Sequence, residues 1–267
     1  MSDGGSDRRP PSLAELRAKL AVGLSPREEG RWLVRLAEDP RRGAQQLAAT
    51  LERRRAARRR EARRVARLFA RRRALFAEGA RHVAGVDEVG VGPLAGPVVA
   101  AAVVLPARVV LPGLNDSKRL QAPDRERLDH AIRAQALSVS VAEVEPEEID
   151  RRNILQATLE AMRRAVCELD IEPDHVLVDA RIIPGVLAPQ TPLVGGDGRD
   201  GSIAAASIVA KVYRDARMQE LDARYPGYGF AQHKGYGTAA HLEALARHGA
   251  SPIHRRSFAP VAERSRP

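Results

Sequence analysis

Four carboxylates stand where an acid is expensive to keep. Asp87 and Glu88 interrupt an otherwise apolar run, His82-Val-Ala-Gly-Val-Asp-Glu88, and glycines follow them. Asp179 ends the run Val176-Leu-Val178, and Asp215 lies in a segment that is Ala-rich upstream, Ile203 to Ala210. Acids beside buried strands cost free energy unless they are paired or metal-bound. Taken singly, each has a plain explanation in a helix cap or a salt bridge with Arg181 or Arg214. Taken together, on the ends of neighbouring strands and a following helix, they make an oxygen-ligand site for a hard cation, Mg²⁺ or Mn²⁺. Carboxylates with two such ions are an apparatus for phosphodiester hydrolysis, in which water is activated and the leaving oxygen stabilised. Like charges in one site repel, so without metal some of these carboxylates should hold protons. One geometric condition applies. Adjacent residues on an ideal strand face opposite sides, so Asp87 and Glu88 share a site only if the strand bends or ends there, which the following glycines allow.

Other candidates carry less chemistry. Gly195-Gly-Asp-Gly198 lacks the spacing of a phosphate-binding P-loop and reads as a turn. Ser202 and Ser207 have no histidine at a triad-like position. His233 and His254 lie in polar, Gly- and Pro-rich loops, where surface placement is expected. Cys167 reads as packed core. Lys118, in Asn115-Asp-Ser-Lys118, marks either a helix start capped by Asp116 or Ser117, or a phosphate contact.

The elements that must position these residues follow from the pattern. Residues 1–12 read as disordered. Ser12 with Glu15 is a capping box that opens a helix to about Leu24. A second helix opens at Ser25-Pro26 and breaks at Asp39-Pro40. A long third runs from about Gly43 to Ala77. Strands are expected over 82–88, 97–106, 138–144, 175–179 and 192–194, with residues 90–96 as a hairpin link. Helices are expected over 146–169, 202–223 and 238–248. Three strands followed by alternating helix and strand imply a mixed α/β sheet with helices on its faces.

Composition bounds the rest. The chain has 267 residues, 44% hydrophobic and only 3% aromatic, so its core must be built from Ala, Val, Leu and Ile. A single cysteine excludes an internal disulfide and a multi-cysteine zinc site. No signal peptide and no apolar run of membrane-spanning length are present, which implies a soluble, cytoplasmic protein. Residues 1–80 hold a net charge of +11 and residues 81–267 a net −1. Residues 51–80 contain 12 Arg against 3 Glu. That is either a solvated helix face or an electrostatic contact with a polyanion such as nucleic acid.

The motifs resemble those of type 2 ribonuclease H, ribonuclease HII. The resemblance rests on Gly85-Val-Asp-Glu-Val-Gly-Val-Gly-Pro-Leu-Ala-Gly-Pro-Val-Val99, Leu114-Asn-Asp-Ser-Lys118, Leu177-Val-Asp179 and Ser202 to Asp215. It continues through Tyr225-Pro-Gly-Tyr-Gly-Phe230, His233-Lys-Gly-Tyr-Gly-Thr238 and His254-Arg-Arg-Ser-Phe258. These run in family order from about 82 to 261. Residues 1–80 are similar, more loosely, to the helical extension of some bacterial members. The resemblance implies a ribonuclease H-like catalytic domain over 81–267, with a mixed five-stranded sheet, flanking helices and a C-terminal helical region from about 225. Residues 1–80 would be an Arg-rich helical extension that adds non-specific affinity for nucleic acid.

The resemblance also implies a monomeric endonuclease for the RNA strand of RNA–DNA hybrids, cutting 5′ of ribonucleotides embedded in duplex DNA and leaving 3′-hydroxyl and 5′-phosphate ends. Asp87, Glu88, Asp179 and Asp215 would be the metal-binding carboxylates, for Mg²⁺ or Mn²⁺. Lys118 would contact the substrate backbone, and Tyr236 would stack near the ribose at the RNA–DNA junction. Gly90, Val91 and Gly92 would read the 2′-hydroxyl and adjacent phosphate. Here the chain departs from the pattern Gly-Arg-Gly, since Val91 replaces the Arg. Val91 is similar to type 3 enzymes, which cleave hybrids and process isolated ribonucleotides poorly. The Lys often preceding Gly196-Asp197 is Gly195 here, with Arg199 nearby.

Overall fold

The computed structural model describes residues 12–21 and 24–264, so the expected disorder falls, up to residue 11, outside the described residues. The chain divides into two compact units, 1–64 and 65–267. The first contains α1 (Leu13–Ala21), α2 (Pro26–Glu38) and most of α3 (Arg42–Leu68). Ser25 caps α2 with Pro26 in its first turn, as the sequence predicts, and the cap is a full capping box with Glu28. Leu16, Leu36 and Ala44 form its small core, with Trp32 and Leu47 against them.

The second unit begins with the end of α3 and α4 (Ala70–Ala77). The division falls before the compositional change at residue 81 because Val65, Phe69, Leu75 and Phe76 belong to the second unit's hydrophobic clusters. One continuous helix to Ala77 is expected, but the backbone leaves helical geometry at Phe69. No Pro or Gly marks that break; the buried Phe69 ring lies against Gly201 and under the Arg72 guanidinium.

The sheet has five strands in the order β3-β2-β1-β4-β5. These are β1 (Val83–Val89), β2 (Val98–Val104), β3 (Ser138–Val144), β4 (His175–Asp179) and β5 (Gln190–Leu193). β1–β2 and β2–β3 are antiparallel, and β1–β4 and β4–β5 parallel. This is the mixed sheet expected. β2 is buried on both faces, which explains why it reads as an uninterrupted Val/Ala run. One face carries α7 (Ile154–Cys167), whose Ala157, Ala161 and Ala165 meet Val98, Ala100 and Ala102. The other carries α5 (Ala122–Gln135) and α8 (Gly201–Arg224), with Ala204, Ile208 and Leu128 against Val99, Ala101 and Val103. Gly85 is required here: a β-carbon on it would collide with the Ser202 backbone, so only glycine lets α8 lie this close to β1.

Two expectations are corrected. The helix over 146–169 is two, α6 (Pro146–Arg152) and α7, because Asn153 takes φ 74° and its side chain caps α7 through the Gln156 N–H. Cys167 is exposed rather than core, because it lies at the last turn of α7. The C-terminal region contains α9 (Phe230–His233), α10 (Ala239–His248) and α11 (Ala259–Arg264). No helix among the described residues is long and apolar enough to cross a membrane.

Candidate active site

Parallel pairing brings the acids together. β1 and β4 run in register to Val86–Val178, and the next residues on each strand are Asp87 and Asp179. One oxygen from each of Asp87, Glu88 and Asp179 lies within 4.8 Å of the others. Asp87 is only 3% exposed. Its Oδ1 accepts the Glu88 N–H at 2.9 Å. β1 does not end at these residues, since it pairs with β2 through Val89, but it reaches beyond its pairing with β4, and there an oxygen of Glu88 comes to the same site as those of Asp87 and Asp179.

The site has a fourth acid that the sequence reading missed. Asp179 Oδ1 accepts the Gly196 N–H at 2.7 Å, which draws the turn Gly196–Gly198 to the end of β4. That turn carries Asp197, which is 6% exposed. Lys118 Nζ donates to Asp197 Oδ2 at 3.2 Å. The turn expected at 195–198 is therefore also a carboxylate carrier. Asp116 caps the short 3-10 turn Ser117–Arg119, as expected, and sends the Lys118 chain toward the acids.

Asp215 is not brought to this group. It lies two turns beyond Ser207 on α8, where Lys211 Nζ donates to its Oδ1 at 2.6 Å and Arg125 stands 3.6 Å from its Oδ2. Its charge is compensated locally, and the Arg214 pairing considered for it does not form. Arg214 instead donates to the carbonyls of Ala95, Pro97 and Lys234.

The electrostatics mark the cluster as short of positive charge. Burial, then the Glu88 charge, raise Asp87 well above the usual carboxylate range, with Asp179 and Asp197 adding to the effect. Burial, then Asp179, push Glu88 up to about 7. Glu88 Oε2 is buried and has no hydrogen-bond partner. An oxygen-only donor set with an orphaned carboxylate oxygen fits a hard divalent cation. Ser207 joins the site without histidine: its hydroxyl lies 2.9 Å from the Ser117 hydroxyl and near enough to Asp87 to offset part of that carboxyl's rise.

The segments expected to meet substrate are also brought together. A β-carbon on Gly92 would sit 3.8 Å from Tyr236 Cε1, so the Tyr236 ring lies beside the Gly90–Gly92 loop. Tyr236 is half-exposed and Val91 is exposed. The loop carbonyls are tied from beneath by Arg255, which is fully buried and donates to Gly90, Val91 and Gly96 at 2.6–3.0 Å. Gly235 takes φ +83° and a β-carbon there would strike the Ala95 carbonyl, so glycine is needed for the approach of Tyr236 to the loop.

Three histidines complete this support, and their placement corrects the surface expectation for His254. His254 is 1% exposed and His241 0%. Ser251 N–H donates to His254 Nδ1 at 3.0 Å, which leaves the ring proton on Nε2. That proton is shared with His241 Nε2 at 3.1 Å, and His241 Nδ1 then donates to the Tyr236 carbonyl at 2.9 Å. His233, partly buried, stacks on His241 with centroids 4.4 Å apart. Burial, then His241, lower His254 to about 4.

Comparison with known proteins identifies the family. Residues 84–261 match the family model of ribonuclease HII. The chain is 52% identical over 236 residues to a ribonuclease HII of Geobacillus kaustophilus, covering 88% of this chain and 90% of that one. It is 51% identical to a Myxococcus xanthus ribonuclease HII, covering 94% and 86%. The crystal structure of the ribonuclease H2 from Pyrococcus horikoshii superposes with a TM-score of 0.60 at 28% identity, covering 68% of this chain and 96% of that one. With a mixed five-stranded sheet, clustered acids at the ends of β1 and β4, and relatives matched over most of their length, this chain belongs to the ribonuclease HII family and is a ribonuclease H enzyme.

Proposed function

We propose that this enzyme hydrolyses the RNA strand of RNA–DNA hybrids and cuts 5′ of ribonucleotides embedded in duplex DNA, leaving 3′-hydroxyl and 5′-phosphate ends. We infer that Asp87, Glu88, Asp179 and Asp197 hold Mg²⁺ or Mn²⁺, with Asp197 in the role the sequence assigns to Asp215. The observation that carries this reading is the buried carboxylate group whose charge the protein offsets only in part, through Lys118 and Arg181. Bound divalent ions would supply charge neutralisation at the scissile phosphate and activation of water. The protein's own residues do the rest. Lys118, held against Asp197 but with most of its side chain exposed, meets the substrate backbone. The Gly90–Gly92 backbone reads the 2′-hydroxyl, the group that distinguishes RNA from DNA. Tyr236 stacks at the junction sugar. The 1–80 region acts as an accessory to the catalytic domain, and the cytoplasm, where nucleic acid is at hand, is the site of action.

A second reading is favoured by one residue. Val91 puts an exposed apolar side chain where the family pattern has Arg, which supports cleavage of continuous hybrids with weak action on isolated ribonucleotides. One assay tests both. The enzyme is given Mg²⁺ or Mn²⁺ with a single ribonucleotide in duplex DNA, a continuous RNA–DNA hybrid, and an all-DNA duplex. Metal-dependent cutting of the first two, 5′ of the ribonucleotide, is expected. Cutting of the hybrid alone establishes the second reading. Cutting of the all-DNA duplex, or metal-independent cutting, refutes both.

A further inference from the structure

We infer that Arg72 of α4 is a positioning residue for the metal site, acting through Asp200 on the turn that carries Asp197. The inference rests on the proposed metal role of Asp197 and extends it to a residue of another element. Asp200 joins the turn to α8. Its N–H donates to the Gly196 carbonyl at 2.7 Å, and its Oδ1 accepts the Ser202 N–H at 2.8 Å. The Arg199 N–H donates to the same Gly196 carbonyl at 2.9 Å. Asp197 lies between Gly196 and Asp200, so a shift of Asp200 moves its carboxylate against Asp87 and Glu88.

Arg72 and Asp200 are each 1% exposed. Arg72 Nη2 donates to the Pro106 carbonyl at 3.0 Å, but its Nε and Nη1 have no hydrogen-bond partner, and neither has Asp200 Oδ2. Buried charges with such orphaned atoms are costly unless another charge answers them. Here each answers the other. Burial raises the Asp200 carboxyl; the Ser202 and Ile203 N–H groups, then the charges of Arg72 and the exposed Arg71, oppose that rise. Burial lowers Arg72 to about 10, and the Asp200 charge opposes the fall. In a low local dielectric two such charges act on one another without touching. Packing fixes their approach. The guanidinium lies 4.6 Å from the Phe69 ring centroid and 5.4 Å from that of Phe76. The Phe69 ring occupies the place a β-carbon on Gly201 would take, which seats α4 on the first turn of α8. α4 thus holds the Asp200 end of the turn, while Asp179 holds Gly196 and Lys118 holds Asp197.

The test uses the full chain and two readouts besides activity. Hydrogen exchange of the metal-free protein, followed by mass spectrometry over residues 196–203, reports the turn itself. Mn²⁺ titration followed by electron paramagnetic resonance reports the site. In Arg72→Met the turn should exchange at least about tenfold faster while α7 keeps the parent rate. Mn²⁺ affinity should fall about tenfold, the lower end of what losing a group behind a metal ligand costs. The direction separates the causes. By charge alone, removing a cation near a cation site tightens metal binding, so weaker binding reports a displaced Asp197. Asp200→Asn keeps an oxygen for the Ser202 N–H and leaves Arg72 uncompensated, so exchange over residues 70–77 should also quicken. The double variant R72M/D200N should bind Mn²⁺ no more weakly than R72M, because one coupling is lost only once. Parent exchange over 196–203, or unchanged or tighter Mn²⁺ binding beside a lowered melting temperature in R72M, overturns the inference. So do losses that multiply to about a hundredfold in the double variant. If R72M does not fold, parent exchange over 70–77 in D200N overturns it. A parent that binds no Mn²⁺, with the exchange change intact, refutes the proposed metal role of Asp197 and leaves the link from Arg72 to the turn standing.

Discussion

Acid should loosen the support under Tyr236 through one residue, His254. Its ring is buried, accepts the Ser251 N–H at Nδ1, and carries its proton on Nε2 toward His241. A second proton must go to Nδ1, which abolishes the bond from the Ser251 N–H, leaves only the Ser251 hydroxyl at 2.7 Å to accept it, and places a charge beside a second buried imidazole. The folded group is held at about 4, below its ordinary 6.5. A depressed folded value means that the stabilisation is fully present above about 6.5 and is lost as pH falls through about 4. At roughly 1.4 kcal/mol per tenfold change in the ionisation constant, the whole span is about 3 kcal/mol. Most of it is gone by about pH 4.5. His254→Asn supplies the reference, since its amide oxygen still accepts from Ser251 but its side chain has no proton to gain. Near neutral pH the variant should be less stable, by at least the roughly 1–3 kcal/mol of leaving His241 Nε2 unsatisfied. Towards about pH 4.5 that gap should shrink by about 2–3 kcal/mol. Urea unfolding at the two pH values measures it. All four tyrosines lie in the 65–267 unit and the single tryptophan in the other, so tyrosine absorbance follows the correct unit. A gap that stays constant or widens in acid refutes the assigned tautomers and the burial argument together.

Four further outcomes are expected. Asp197→Asn should lower kcat at least about a hundredfold, the scale of losing a metal-site charge. Asp215→Asn should cost less than about tenfold and mainly a little stability, as expected of partly exposed ion pairs; steady-state rates with Mg²⁺ that reverse the two would return Asp215 to the site. Val91→Arg should raise the ratio of single-ribonucleotide to hybrid cleavage about 10- to 100-fold, the effect of roughly 1.5–3 kcal/mol from one charged donor. An unchanged ratio would mean that backbone and Tyr236 already carry the discrimination. Arg255→Lys cannot reach three carbonyls with one ammonium, so about two charged hydrogen bonds, roughly 3–6 kcal/mol, are lost. A thermal melt that moves by less than about 3 °C would contradict that accounting.

Residues whose surroundings are local in sequence were legible. Asp87, Glu88 and Asp179 lie inside or at the end of apolar runs, so their burial and the sheet around them could be read together. Asp197 could not be read this way, because glycines and Arg199 flank it. Its burial comes from the Gly196 N–H bonding Asp179 across 17 positions and from Lys118 across 79. The available signal was an acid between glycines directly after a strand. Asp215 misled for the opposite reason. The Ala-rich helix upstream is buried, but Lys211 stands four positions before the acid, the spacing of a helical ion pair. His254 looks like loop surface because, apart from Ser251 three residues away, its partner is His241, which in turn meets the Tyr236 carbonyl and is reached only through the tertiary fold.

The same long-range contacts bear on what Val91 does. Arg255 holds Gly90, Val91 and Gly96, while Arg214 holds Ala95, Pro97 and Lys234. Both are fully buried, and the carbonyls they tie come from residues 90–97 and from the segment that leads to Tyr236. Removing either guanidinium would leave several buried acceptors unpaired, so the two segments hold one shape as a unit. None of these bonds involves the side chain at position 91, which points to solvent. Replacing the family Arg there therefore removes one donor from the surface and leaves the backbone beneath it in place. On the proposed function, the consequence would be a change in the strength of discrimination at the ribonucleotide, with the arrangement of the loop and Tyr236 preserved.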